Sequence, residues 1–352
     1  MIPIFIGSNN AYSGKTSVAL GLILKLKEKG YKVAYMKPLG KTPVKRGKDV
    51  YAADAVFIKE SLGLPDPLNI ISPFVLTYES QTLLFQGKIR DVKKKVINAF
   101  RLLKDKDFVI IGGAADLFEG AIFNIDALSL IEETKAHALI VEQWRGEISM
   151  DSFLCTQKLL GKKFLGGALN KVPDSTLSYV KKIVRPFMEK KGIKIFGVFP
   201  RDSILEAITV GHLNEILNGK ILCCEDKLDE FVENFSIGAM DVASALNIFK
   251  RIPNKAVITG AHRADIQLAA METSTRCIIL TGGLYPNEII IGKAQSKGIP
   301  LISVTEDTFT TVDRIESVMG KARIREKEKI NRAKQLIDKE FDMKRFLESL
   351  KK

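Results

Sequence analysis

The chain has 352 residues, and at roughly 150 residues per domain that length suggests about two domains, each able to bury a full core. Hydrophobic residues make up 46% and charged residues 27%, which excludes wholesale disorder, a collagen-like repeat and a small stapled scaffold. The net charge of +13 raises nucleic acid or anionic lipid as partners, but its distribution argues otherwise. Residues 15–48 carry a net +9 and residues 321–352 a net +6, leaving −2 for the remainder.

Short apolar runs alternate with helical patterns from the first residue. Ile2–Ile6, Val33–Met36, Phe108–Ile111, Ala138–Val141, Phe164–Leu169 and Ile195–Val198 have the continuous apolar character of strands buried on both faces. Between them, Lys15–Lys29, Val92–Leu103, Asp151–Leu160 and Ser175–Lys190 have helical spacing. This alternation predicts a parallel sheet covered by helices, ending near Pro200. A second α/β series follows, with strands at Ile221–Cys223, Ala256–Thr259, Cys277–Leu280 and Leu301–Val304. Its helices are expected at Leu205–Leu217, Val242–Phe249, Ala264–Glu272 and Asn287–Lys297. From Gly320 one polar amphipathic helix is expected, with Ile330, Ala333, Ile337 and Phe341 on one face. It either docks on its own domain or meets a partner. The expected domains are therefore 1–205, 206–320 and a basic tail at 321–352.

The cysteines, Cys155, Cys223, Cys224 and Cys277, form no Cys-x-x-Cys pair and have no histidine at zinc-finger spacing. They are expected to be buried thiols in a reducing compartment. The first residues pass straight into a glycine loop with no basic leader or cleavage site. No apolar run approaches the ~18–20 residues of a membrane span. A cytoplasmic protein is expected, with no membrane partner and no general nucleic-acid surface.

Gly7-Ser8-Asn9-Asn10-Ala11-Tyr12-Ser13-Gly14-Lys15-Thr16 joins the first strand to the first helix, where a phosphate loop must lie. Loop and helix N–H groups, here expected from Asn10, Ser13, Gly14, Lys15, Thr16 and Ser17, would wrap phosphates. Lys15 would reach the β/γ-phosphates and the Thr16 hydroxyl would hold Mg²⁺. The usual pattern has glycine where this chain has Asn9. A chance Gly-Lys-Thr is the competing reading, and the strand before it and helix after it argue against chance. Lys37 closes the second strand and faces the same strand-end crevice. Asp54, opening the next helix, could serve Mg²⁺ or simply complement the helix dipole. Asn170, after a later strand, could meet an adenine edge or cap its turn.

Together these residues resemble the dethiobiotin synthetase superfamily, in particular the N-terminal region of long phosphotransacetylases. The resemblance covers about residues 2–200 and rests on Gly7–Thr16, Tyr35-Met36-Lys37-Pro38, Asp54 and Asn170-Lys171-Val172-Pro173. It implies ATP and Mg²⁺ as cofactors. Lys15 and Lys37 would hold phosphate and a carbamate intermediate as the catalytic pair, Thr16 and Asp54 would bind the metal, and Asn170 the adenine. The departure is at Ile110-Ile111-Gly112-Gly113, where these enzymes carry Val-Glu-Gly and the Glu completes the metal site. Asp116 and Glu119 are the nearest substitutes. Residues from about Thr209 to Ser317 resemble the DRTGG domain. That likeness rests on Gly238-Ala239-Met240, Thr259-Gly260-Ala261-His262-Arg263 and Leu280-Thr281-Gly282-Gly283, with His262 at the signature Asp. It implies ligand sensing, with Arg263, Thr281, Gly282 and Gly283 near a small anionic effector; Arg263 as a structural brace or dimer contact is the equal alternative.

The expected architecture is a P-loop NTPase parallel-sheet domain, then a smaller DRTGG-like α/β domain and a C-terminal helix. With no transacetylase region in the chain, the expected function is an ATP-binding regulatory or sensor protein with weak or no ATPase activity, forming a homodimer or higher oligomer. The alternative is an ATP-dependent ligase that activates a carboxylate or carbamate.

Overall fold

In a computed structural model of the chain, residues 1–318 and 326–351 are described. They form two units, 1–201 with 326–351 and 202–318.

The first unit is built on a six-stranded sheet. Its strands are β1 (Ile2–Gly7), β2 (Val33–Met36), β5 (Phe108–Gly112), β6 (His137–Gln143), β7 (Phe164–Val172) and β8 (Ile195–Pro200); β3 (Pro43–Arg46) and β4 (Asp49–Ala52) make a separate hairpin. The sheet order is β2-β5-β1-β6-β7-β8 with every pairing parallel. All six strands were legible as apolar runs because helices cover both faces and leave no polar alternation. The carboxyl ends of β1, β2, β5, β6 and β7 share one edge, and the loops there carry the site residues.

The helix Lys15–Glu28 leaves that edge directly from the loop. Its buried residues, Val18 to Ile23 without a break and Leu26, run almost all the way round. The cause is a second partner on its outer side. The chain returns after the second unit as two helices, Lys327–Glu340 and Met343–Ser349, and the first of these lies against Lys15–Glu28. A Cβ on Gly21 would come within 2.3 Å of the Ile337 side chain and 2.9 Å of the Ala333 carbonyl, so glycine sets how closely the two helices cross. Lys25 pairs with Asp338, Lys334 with Glu28 and Lys181 with Glu340. Phe341 stacks on Phe199 and Phe346 meets Phe196 edge-on.

Of the tail expected at 321–352, the described residues, 326–351, are thus part of the first unit, and its apolar face is core: Ile330, Ala333, Ile337, Phe341 and Phe346 are all buried. It comprises two helices, with Phe341 bridging to Gly197 between them. The expected boundary at 320/321 lies outside the described residues; the one near 205 falls at 201/202.

The second unit holds a five-stranded sheet in the order β10-β15-β14-β13-β12. These are Lys220–Cys223, Leu301–Ser303, Thr275–Thr281, Lys255–Gly260 and Asn234–Ile237. β12 to β15 are parallel and β10 is an antiparallel edge. A two-strand ladder, β9 (Ile208–Thr209) with β11 (Phe231–Val232), lies beside it. The helix expected at 205–217 is interrupted there. Asp202 caps one short helix and Thr209 caps the next, Val210–Leu217. Among the described residues no helix is long and apolar enough to cross a membrane. Cys223 and Cys277 are buried as expected, whereas Cys155 is exposed and Cys224 intermediate.

Candidate phosphate-binding site

The loop between β1 and the helix Lys15–Glu28 turns on Gly14, at φ 94°. A Cβ there would lie 2.0 Å from the Asn170 amide nitrogen, so glycine is needed for both its conformation and its space. No side chain caps this helix, and its first N–H groups have no intrahelical partner. The Ser13 hydroxyl is buried and has no hydrogen-bond partner among the described residues. Uncapped helix, orphaned hydroxyl and glycine turn together make a cradle chemically suited to an anion.

Lys15 lies folded across this cradle. Its ammonium donates to Ser8 Oγ (2.5 Å), the Asn10 carbonyl (3.2 Å) and the Ala115 carbonyl (2.9 Å). All three acceptors are uncharged. Burial, followed by the nearby Lys37 charge, lowers its pKa from 10.5 to about 7, against the opposing pull of Glu142, Asp116 and Glu119. Asn10 therefore contributes its carbonyl to the lysine. Thr16 and Ser17 stand half-buried at the helix start.

Lys37 emerges from β2 as expected. It donates to the Gly113 carbonyl at 2.7 Å and pairs with Asp54 at 3.3 Å. Asp54 also accepts from the Ala55 N–H at 3.1 Å, which fits its reading as a carboxylate at a helix start. Asn170 donates to the Ser13 carbonyl at 2.8 Å, which ties β7 to the loop.

The loop after β5 answers the question raised by Gly112. A Cβ at Gly112 would lie 2.5 Å from the Tyr35 hydroxyl, so the neighbouring strand's tyrosine fills the space an acidic side chain would need. Tyr35 is buried, and that burial, with Asp54 nearby, pushes its pKa well above 10. The two nearby acids are engaged elsewhere. Asp116 accepts from the N–H groups of Phe118 and Glu119. Glu119 accepts from Ala115 N–H at 2.7 Å and pairs with Lys41. Among the described residues no cluster of three or more His, Cys, Asp or Glu could hold a metal ion. The donor set of this edge, lysines and backbone N–H groups, suits phosphates.

Sequence reasoning missed Ser8, Ala115 and above all Glu142. Glu142 is fully buried at the end of β6, and its Oε1 accepts from both the N–H (2.9 Å) and the side-chain amide (2.7 Å) of Asn9. The available signal was a charge directly after the apolar run Ala138–Val141.

In the second unit, the signature segments follow β13 and β14 as expected. Arg263 is committed locally: it grips Asp265 through two bonds of 3.0 Å and donates to the Met240 carbonyl at 2.9 Å. This geometry is that of a brace closing the Gly238–Met240 turn. Thr281 shares a 2.8 Å hydrogen bond with Thr308, and Gly282 and Gly283 take φ values of 90° and 69°. His262 is exposed.

A parallel sheet whose first strand runs through a glycine turn into an uncapped helix, with lysines at the ends of that loop and of β2, defines a P-loop nucleotide-binding protein. The chain belongs to the AAA domain family, whose model matches residues 3–209, and it carries a DRTGG domain over residues 212–318. It is 23% identical over 367 residues to a phosphate acetyltransferase of Synechocystis sp., covering 99% of this chain and 52% of that protein. It is 26% identical over 205 residues to the ATP-dependent dethiobiotin synthetase of Methanocaldococcus jannaschii, covering 55% of this chain and 92% of the relative. The chain spans about half the length of the phosphate acetyltransferases it matches. Among solved structures, the CBS and DRTGG domains of the Clostridium perfringens pyrophosphatase regulatory region are similar at 19% identity, covering 44% of this chain and 74% of that one, with a TM-score of 0.30.

Proposed function

We propose that this chain is a nucleotide-binding regulatory protein. Its P-loop unit binds ATP with Mg²⁺ and hydrolyses it slowly or not at all, and its DRTGG unit receives a small anionic effector. One observation carries the reading. The phosphate cradle is intact, with Gly14, the orphaned Ser13 hydroxyl and Lys15 in place, while the position that would supply a metal-binding carboxylate is Gly112, closed off by Tyr35. Losing that carboxylate removes a charge that would organise Mg²⁺ and the γ-phosphate, which affects turnover more than binding. The ATP-dependent dethiobiotin synthetase among its relatives supports a nucleotide over other anions. Lys15 and Thr16 would meet the β- and γ-phosphates and the metal, and Asn170 would border the base. In the second unit, the glycine turn Gly282-Gly283 and Thr281 would face the effector and Arg263 would hold the loop that receives it.

A ligase is the second reading. It is favoured by Lys37, whose ammonium stands at the same edge as the loop with Asp54 as counter-charge. Phosphate release in single-turnover and steady-state assays separates the two. The regulatory reading predicts bound ATP with less than about one turnover per minute, against the ~1–10³ s⁻¹ typical of enzymes. Rapid ADP formation dependent on an added carboxylate or amine would instead establish the ligase.

A further inference from the structure

Asn9 stands where the usual phosphate loop has glycine, and the structure supplies a partner set that an all-glycine turn would not need. The Asn9 amide nitrogen lies 2.7 Å from Glu142 Oε1, 2.8 Å from Ser152 Oγ and 2.7 Å from Thr156 Oγ1. Three acceptors share its two hydrogens. Its backbone N–H is taken by the same Glu142 oxygen at 2.9 Å. The second carboxylate oxygen faces the Asn10 amide at 3.5 Å. Glu142 has none of its surface exposed and Thr156 only 2%. In sheet register, Gly7 of β1 lies beside Ile140 of β6, so Glu142 projects just beyond the last paired residue, beside the first turn of the loop.

A fully buried carboxylate is costly unless its hydrogen bonds are met, and nearly all of this one's bonding goes to a single loop residue. Removing it would leave the Asn9 N–H without its acceptor, while Asn9 lies immediately before Asn10, whose carbonyl holds Lys15. The geometry points to a specific assignment. We propose that Glu142 is the positioning residue of the phosphate loop: clamped on Asn9 from the neighbouring strand, it sets the loop's first turn in place of the missing glycine and so pre-organises the cradle. This rests on the nucleotide reading for its purpose, though not for its geometry.

The test combines hydrogen exchange of the loop in the nucleotide-free protein with Mg·ATP affinity, on the full chain, for Glu142→Ala, Glu142→Gln, Asn9→Ala and the double alanine variant. An orphaned donor of this kind corresponds to about a tenfold effect. Glu142→Ala and Asn9→Ala should each raise exchange in residues 8–16 and weaken Mg·ATP binding by about that factor. The double variant should be no worse than Glu142→Ala, which already removes both bonds to Asn9. Glu142→Gln keeps an acceptor at the same place and should restore both readouts to within about threefold of the wild type. Should Glu142→Ala fold poorly, Asn9→Ala with Glu142→Gln still decides the matter. Unchanged loop exchange in Asn9→Ala, or additive losses in the double variant, would overturn the proposal. A wild-type protein that binds no Mg·ATP while its loop exchange still responds would contradict the nucleotide reading and leave the clamp supported.

Discussion

Lys15 is the residue on which the electrostatics of the site converge. Burial and the neighbouring Lys37 bring its pKa down to about 7, so above that pH the ligand-free side chain is mostly neutral. A bound polyphosphate favours the charged form, and binding must then take up a proton. Linkage gives the sign: affinity falls as pH rises from 7 towards 9, by at most about tenfold per pH unit. Titrations at pH 6.5, 7.5 and 8.5 in buffers of different ionisation enthalpy check both the slope and the proton. Gly112 gives a second prediction at this scale. Placing Glu there does not rebuild a metal site, because its Cβ would already sit 2.5 Å from the Tyr35 hydroxyl. Gly112→Glu should lose about 2 kcal/mol or more of stability from overpacking and buried charge, with no gain in phosphate release. Thermal melts and an ATPase assay check this, and Tyr35→Ala in the same chain should recover part of the stability.

At the scale of elements, the contact between the helices Lys15–Glu28 and Lys327–Glu340 governs the first unit. Gly21→Leu would drive a side chain into Ile337 and the Ala333 carbonyl and should cost about 1–3 kcal/mol. A chain shortened at residue 325 would strip the cover from Phe196 and Phe199, which Phe341 and Phe346 now pack against. It should lower the unfolding midpoint of the first unit, as denaturant melts would show. The sequence made the six strands, the loop and Lys37 legible because their signals are local: apolar runs, a glycine turn, a charge at a strand end. The helical spacing of Ile330, Ala333 and Ile337 was equally plain, but what covers that face depends on residues some 300 positions earlier in the chain, which periodicity does not record. Glu142 escaped for the same reason, since its role exists only through Asn9. Gly112 was recognised as a departure from the synthetase pattern, whereas Tyr35 as its cause needed the register of β2 against β5.

For the whole molecule, chain order takes on a meaning the linear domain list did not have. The DRTGG unit is an insertion: it begins after β8, and the chain then returns to the first unit as two helices, the first of which covers the P-loop helix. The basic charge likewise divides by element. Part of the C-terminal excess is neutralised within the first unit, where Lys334 meets Glu28 and Arg345 meets Glu189. The N-terminal excess includes Lys15 and Lys37 at the site itself. The central claim is that this unit binds a nucleotide through its loop, and calorimetric titration of the full chain with Mg·ATP, beside Lys15→Ala, tests it most directly. Saturable binding by the wild type at millimolar ATP or below, weakened at least tenfold in Lys15→Ala, is the predicted result. No binding by the wild type at millimolar ATP, or equal binding by both proteins, would contradict it.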